Sequence, residues 1–411
     1  MLFRSAFDDA RIVACADPIR ENRDRFVTKV NGVYGGQVCT PYEDFRELLA
    51  RPGLDAVTIC APDYWHVAMA TAAIRAGKDI YLEKPLSLAI NWSLRLRREM
   101  AGKSLVFQFG TQQRSYAAFQ QAVNLVRNGY IGQLQRIDAW CPEMRSRGKV
   151  PPERFFGSTR ELPPPAGWNF DLWTGPAALG PYTEGLDTDW YHINNYCLGF
   201  MANWGVHPLD IAQWGANMDH SGPVSYEGIG TLPPKIGTFD TIEDWDVHCR
   251  YANGVKLRFM SRELAEPVVR RYHVVFRDHG TVFHGSEGWV GVDRAGLYSH
   301  NQNALRKVRF KATDRLVGAG RDHTLGDEQS LKVFQGDAGH QRNFLDCVRS
   351  RQPTVNPFET AVRGDTIVQL ANICLRTKTP LEWDPQQEAI VNPTPAMTAL
   401  LDRPMRAPYG V

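Results

Sequence analysis

The first 110 residues alternate short apolar runs with amphipathic segments, and this rhythm restricts the fold more than any other feature of the chain. "RIVACAD" (Arg11–Asp17), "DAVTIC" (Asp55–Cys60), "DIYLE" (Asp79–Glu83) and "LVFQFG" (Leu105–Gly110) are strand-length runs with little polar interruption. Helices are predicted between them, over Pro18–Val30, Pro41–Ala50, Tyr64–Gly77 and Ser87–Ala101. Pro18 suits a first helical position and Gly77 a helix end. A strand buried on both faces reads as a nearly continuous apolar run, whereas a strand with one wet face alternates. The series therefore predicts an α/β domain, a Rossmann-type doubly wound parallel sheet with helices on both sides.

Past Gly132 the period changes. "LQRIDAW" (Leu134–Trp140) alternates every second residue, as a strand with one buried face does. Further strands are predicted at Val224–Gly230, Trp245–Tyr251, Val255–Ser261, Tyr272–Arg277 and Gly288–Asp293, with a hairpin turn at Ala252–Gly254. Helices are expected at Pro208–Gly215 and His340–Arg349. This is the pattern of a C-terminal α+β domain built on a large, mostly antiparallel sheet. The expected divisions are 1–115, 116–390 and a C-terminal tail over 391–411.

Bulk properties exclude several partners. Lys and Arg number 47 against 45 Asp and Glu, a net charge of +2, so no basic field invites nucleic acid or an anionic membrane. No stretch is apolar for long enough to span a bilayer. The eight cysteines never adopt C-x-x-C spacing, and the eleven histidines form no H-x-x-x-H pair, so no metal site is expected. Scattered thiols in apolar runs fit a reducing, cytoplasmic compartment. A periplasmic location stays open if an export signal precedes these residues.

In open parallel sheets, ligands bind beyond the carboxyl ends of the strands. The residues at those ends are Asp17, then Ala61-Pro62-Asp63, Glu83-Lys84-Pro85 and Gly110-Thr111-Gln112. Asp17 stands where a dinucleotide fold grips a ribose diol, and would favour NAD over NADP; taken alone, it reads first as a helix cap ahead of Pro18. Lys84 reads as an exposed loop lysine or as a functional amine whose backbone Pro85 restrains and whose partner is Glu83.

With these segments in order, the chain resembles the Gfo/Idh/MocA oxidoreductase family. "APDYWHVAMATAAIRAGK" followed by "EKP", then "FQFGTQQRS" (Phe107–Ser115) and "GFMANWGVHPLDIAQW" (Gly199–Trp214), carry the resemblance, and "HQRNFLDCVRSRQ" (His340–Gln352) extends it. The resemblance implies a nicotinamide cofactor, NAD before NADP, and a second domain that forms the substrate pocket and a homo-oligomer interface. It implies catalytic roles for Lys84 and His207. It implies that Pro62 and His66 line the cofactor cleft with Lys84 near the nicotinamide ribose; with the strand-tip residues Asp17, Ala61, Glu83, Pro85 and Gln112 these make the expected cofactor-binding set. Asn203, Arg114, Trp168, Tyr191 and His192 are candidate substrate-binding groups, the aromatic ones equally readable as core.

Two features depart from the family pattern. Asn203 stands where many members carry an aspartate four residues before the histidine; an amide orients a ring or a hydroxyl but takes no proton. The opening strand and the G-x-G-x-x-G loop are also missing. "MLFRSAFDDA" reads as the end of the helix that follows that loop, with Leu2, Phe3, Ala6 and Phe7 as its apolar stripe. About two dozen residues of a strand–loop–half-helix unit would fill the difference. The strands ending at Asp17 and Glu83 are then expected to lose a neighbour, at about 1–3 kcal/mol per unpaired buried backbone group. The resulting expectation is an NAD-dependent oxidoreductase acting on a secondary hydroxyl of a sugar, glycoside or related polyol. Two alternatives stand beside it: a redox-assisted glycosidase or lyase that retains its NAD, and a non-catalytic sugar-binding protein that has lost the cofactor loop.

Overall fold

A computed structural model describes residues 7–144, 155–272, 276–301, 305, 308–317 and 336–411. The predicted helix end at Leu2, Phe3 and Ala6 lies outside these residues, as does the middle of the predicted Tyr272–Arg277 strand.

The first part holds five short parallel strands in two separate sheets. β1 (Ala14–Ala16) pairs with β2 (Thr40–Tyr42), and β3 (Ala56–Ile59), β4 (Asp79–Leu82) and β5 (Phe107–Phe109) pair in that order. Helices α1 (Arg20–Tyr34), α2 (Phe45–Leu49), α3 (His66–Arg75) and α4 (Ile90–Met100) alternate with them. The helix predicted over Pro41–Ala50 is instead β2 followed by α2; Asp44 starts that helix by accepting the Arg46 N–H at 2.8 Å. Among the described residues no strand bridges β1 and β3. The break expected beside Asp17 is there, but its other border is β3. The strand ending at Glu83 is the centre of its sheet and keeps both neighbours. All four β4 residues are buried, as a central strand requires.

The second part is a nine-stranded sheet. After α5 (Ala117–Arg127) come β6 (Leu134–Cys141), β7 (Ser225–Thr231), β8 (Asp244–Arg250), β9 (Lys256–Ser261), β10 (Gly280–Gly285), β11 (Gly288–Asp293), β12 (Gly296–Ser299), β13 (Leu381–Asp384) and β14 (Ala389–Val391). Their order is β12-β11-β10-β6-β9-β8-β7-β13-β14, with β6 and β9 parallel and all other pairs antiparallel. β10, β12, β13 and β14 were not legible as strands in the sequence, nor was the buried helix Phe358–Thr377 that packs on β7. The turn over Ala252–Gly254 does join β8 to β9, with Gly254 at φ 89°.

One apolar core runs through both parts, from Ile59, Ile80 and Phe109 to Leu209, Trp245 and Phe283. The C-terminal residues return to the first part. Leu401 O accepts from Asn91 N, Arg403 O from the Trp92 ring N–H, and Asp402 pairs with Arg95 at 2.7 Å. No helix among the described residues is long and apolar enough to cross a membrane.

Candidate active site

The carboxyl ends of β3, β4 and β5 open into a cleft of about 750 Å³, whose far wall comes from the second part. Ligand pockets of small-molecule proteins run from about 300 to 1,000 Å³. The β3 end contributes Cys60, Ala61, Pro62 and Asp63; the β4 end contributes Glu83 and Lys84. Gln112 follows β5 and donates to Glu83 Oε1 at 2.8 Å. Gly110 makes this contact possible, since a Cβ there would lie 2.9 Å from the Glu83 backbone.

Opposite stand Asn203 and His207. Asn203 closes the short helix Phe200–Asn203, and His207 enters the helix Val206–Gly215 one turn later. Gly205 lets the two helices meet against β9, because a Cβ would reach Met201 O at 2.0 Å and the Phe259 ring at 2.5 Å. The Lys84 ammonium crosses the cleft and donates to Asn203 O at 2.7 Å and to Asn203 Oδ1 at 2.9 Å. Two of its three hydrogens are thereby used, and the third meets no partner among the described residues. Burial holds the Lys84 pKa below its ordinary value, opposed by the charges of Asp63 and Glu83.

His207 is 2% exposed, and its Nδ1 meets no hydrogen-bond partner among the described residues. Burial, reinforced by the nearby Lys84 and Arg294, pulls its pKa well below the usual imidazole value. The ring is therefore neutral, a base rather than an acid.

Of the other residues singled out from the sequence, Tyr191 and His192 line the cleft with Ala61, Pro62, Glu83, Gln112 and Asn203. Tyr191 stacks on Trp190 with ring centroids 3.8 Å apart, and burial pushes its hydroxyl up to about 12. His66 and Pro85 are buried and are not among the residues that line the cleft. The two His66 ring nitrogens face Pro85 O and Ala61 O, so this side chain ties the β3 and β4 tips together. Asp17 lies across the break in the sheet, with Oδ1 accepting the Ile19 N–H at 2.8 Å, and is not among the lining residues.

Two expectations are corrected. Arg114 is no pocket wall. It is 2% exposed and spends its guanidinium on Asp210 at 2.7 Å and Asp219 at 2.8 Å, a charge cluster behind the helix of His207. Trp168 also stays out of the cleft. It packs on Trp173 and Tyr182, and its backbone bridges to Ile19, beside the start of α1.

Asp63, Trp190, Trp204 and Arg294 line the cleft without having been singled out as site residues. Asp63 stood at a strand tip and Trp204 inside the Asn203–His207 motif, so a signal existed for both. Arg294 sits between β11 and β12, over the Trp204 ring at 5.8 Å, and no local pattern marks it.

Comparison with known proteins agrees with the architecture. Residues 2–111 match the family model described as "Oxidoreductase family, NAD-binding Rossmann fold", and residues 325–411 match "Oxidoreductase family, C-terminal alpha/beta domain". The chain is similar to the myo-inositol 2-dehydrogenase of Thermotoga maritima, 30% identical over 145 residues, which is 35% of this chain and 40% of that protein. It is also similar to the scyllo-inositol 2-dehydrogenase (NAD(+)) of Bacillus subtilis, 30% identical over 123 residues, 30% of this chain and 34% of the relative. The aligned stretches thus span less than half the length of these curated relatives. Among solved structures, the myo-inositol 2-dehydrogenase of Lactobacillus plantarum superposes with a TM-score of 0.59 at 14% identity, over 92% of this chain and 93% of that one. A levoglucosan dehydrogenase complexed with NADH and levoglucosan gives 0.61 at 15% identity, over 90% of each chain. At such identities the likeness is one of fold.

Proposed function

The chain belongs to the Gfo/Idh/MocA oxidoreductase family, and from that premise we propose that it is an NAD-dependent dehydrogenase oxidising a secondary hydroxyl of a sugar or related polyol. The observation that carries this reading is the meeting of Lys84 and His207 across one cleft at the strand tips. A half-buried ammonium, with one hydrogen unclaimed among the described residues, faces a neutral imidazole. That pair suits an alcohol oxygen that must be gripped and then deprotonated.

NAD, when bound, supplies the acceptor for the hydride that leaves the carbinol carbon. The residues at Ala61, Pro62, Glu83 and Gln112 fit such a group because they form the carboxyl edge where dinucleotide folds bind. Lys84 donates its third hydrogen to the substrate oxygen and stabilises the negative charge that develops there. His207 accepts the hydroxyl proton, and burial, by lowering its pKa, keeps the ring in the neutral form that can do so. Tyr191 and Trp190 offer flat faces to the C–H surfaces of a sugar ring. The family relatives named for inositols support a cyclic polyol as the first substrate class to try.

The test is spectrophotometric. The purified chain is mixed with NAD and a panel of inositols, monosaccharides and glycosides, and reduced nicotinamide is followed at about 340 nm. Turnover is expected with at least one polyol, and His207→Ala is expected to lose about 10²–10⁴-fold in kcat, the usual size of a general-base contribution. A variant as active as the parent, or no turnover across the panel, removes the proposal.

A further inference from the structure

The two oxygens that hold Lys84 both belong to Asn203, and both are neutral. A half-buried ammonium needs a counter-charge close by. Glu83, which accepts from the neutral Gln112 amide, supplies part of it. The larger part comes from Asp63, 2% exposed, just beyond the end of β3. The Asn203 amide nitrogen donates to Asp63 Oδ1 at 3.1 Å and to Oδ2 at 3.3 Å, and the Cys197 thiol donates to Oδ2 at 3.0 Å.

Asn203 therefore has a different partner at each end. Its NH₂ faces a carboxylate and its carbonyl faces an ammonium. Turned over, the amide would set oxygen against carboxylate and NH₂ against ammonium, unfavourable at both ends. Two donor groups, the Asn203 NH₂ and the Cys197 thiol, make three contacts with Asp63, and they favour its ionised form against the burial that raises its pKa.

We propose that Asp63 is a positioning residue for the reaction: it locks the orientation of the Asn203 amide, so that Asn203 presents two oxygens to Lys84, and it supplies the charge that balances the ammonium from behind. This rests on the reading of Lys84 as the group that grips the substrate oxygen. The inference links the two halves of the cleft, because Asp63 and Lys84 come from the first part and Asn203 and Cys197 from the second.

The groups around Lys84 fix the sign of the effect. Asp63, Glu83 and Cys197 favour its charged form, while burial, Arg294, His66 and His207 oppose it. Around Asp63 itself, burial and the Tyr191 and Asp365 oxygens oppose ionisation, and His66, Lys84, Cys197 and Asn203 favour it. Removing the Asp63 charge must let Lys84 lose its proton at lower pH.

The experiment reads Lys84 directly. The full chain is labelled with an amine-reactive reagent across a pH series, and Lys84 modification is quantified by mass spectrometry. Asp63→Asn is expected to move the Lys84 midpoint down by about one pH unit, a tenfold change at fixed pH. Any turnover should lose its alkaline limb by the same displacement. Asn203→Ala, which cuts the link and keeps the carboxylate, is the second arm and serves also if Asp63→Asn does not fold. There the labelling rate at the high-pH plateau should rise, because the amine has lost one anchor. An unmoved midpoint in Asp63→Asn, or an unchanged plateau in Asn203→Ala, overturns the proposal. A shifted midpoint in a chain that turns over no polyol upholds the linkage and rejects the dehydrogenase reading, so the two failures are separable.

Discussion

At the scale of single residues, burial decides what each titratable group can do. His279 packs beside Trp204 with its Nε2 2.8 Å from the Gln113 amide nitrogen, and burial brings its pKa down to about 4. An unfolded imidazole titrates near 6.5. Between those values the unfolded chain binds the extra proton, so stability is full above pH 6.5 and is lost as pH falls towards 4. From pH 6.5 to 5 this group alone accounts for about 2 kcal/mol. Urea unfolding of His279→Gln should show an acid limb flatter than the parent's by that amount; parallel limbs would contradict the assignment. Arg114 carries a prediction of another kind. With Asp210 left uncompensated in the core, Arg114→Ala should lose about 3–5 kcal/mol in urea unfolding. A variant of parental stability would mean that the buried pair with Asp210 and Asp219 does not form. The sequence offered Arg114 as a candidate substrate-binding group. Nothing local reveals that Asp210 and Asp219, roughly a hundred positions away, have already claimed it.

Among the elements, the break between β1 and β3 has the clearest consequence. β4 has a hydrogen-bonded neighbour on each side, while β1 and β3 each have one among the described residues. Unpaired strand edges open locally at low free energy. Hydrogen exchange should therefore be faster at Ala14–Ala16 and Ala56–Ile59 than at Ile80–Leu82. Protection of β1 equal to that of β4 would show that its edge is covered. The βα rhythm of the first part was legible because strands buried on both faces are apolar throughout. Even so, the residues Thr40–Tyr42 escaped notice: an exposed edge strand of three residues has no such run. In the second part, β10 was missed because Gly280–Gly285 is buried in its first four residues yet carries only two large apolar side chains, Val282 and Phe283, too few for a continuous run or an alternation. The neighbour that covers it is supplied by the rest of the chain.

For the whole molecule, the question is what joins the two parts around the cleft. Asp365, inside the buried helix Phe358–Thr377, accepts the backbone N–H groups of Leu86 and Ser87 at 3.0 and 3.2 Å, just past Lys84. The C-terminal segment is a second tie: Arg95 pairs with Asp402, Arg406 with Asp171, and the Tyr409 ring lies 5.3 Å from that of Trp65. Deleting residues 402–411 should lower Tm by several degrees and separate one calorimetric transition into two. An unchanged single transition would mean that the shared core alone couples the parts. The sequence by itself determined the class of each half, because side-chain period follows directly from which faces of a strand or helix are buried. It also determined the strand tips as the place where chemistry collects, since parallel topology puts every tip on one edge. Only the tertiary structure decided which polar groups remain available there. Lys84 and His207 share the cleft, Arg114 is consumed behind it, and Asp63 backs Asn203. Each outcome depends on partners far along the chain, and hydrogen bonds and ion pairs of that kind leave no periodic trace in the order of residues.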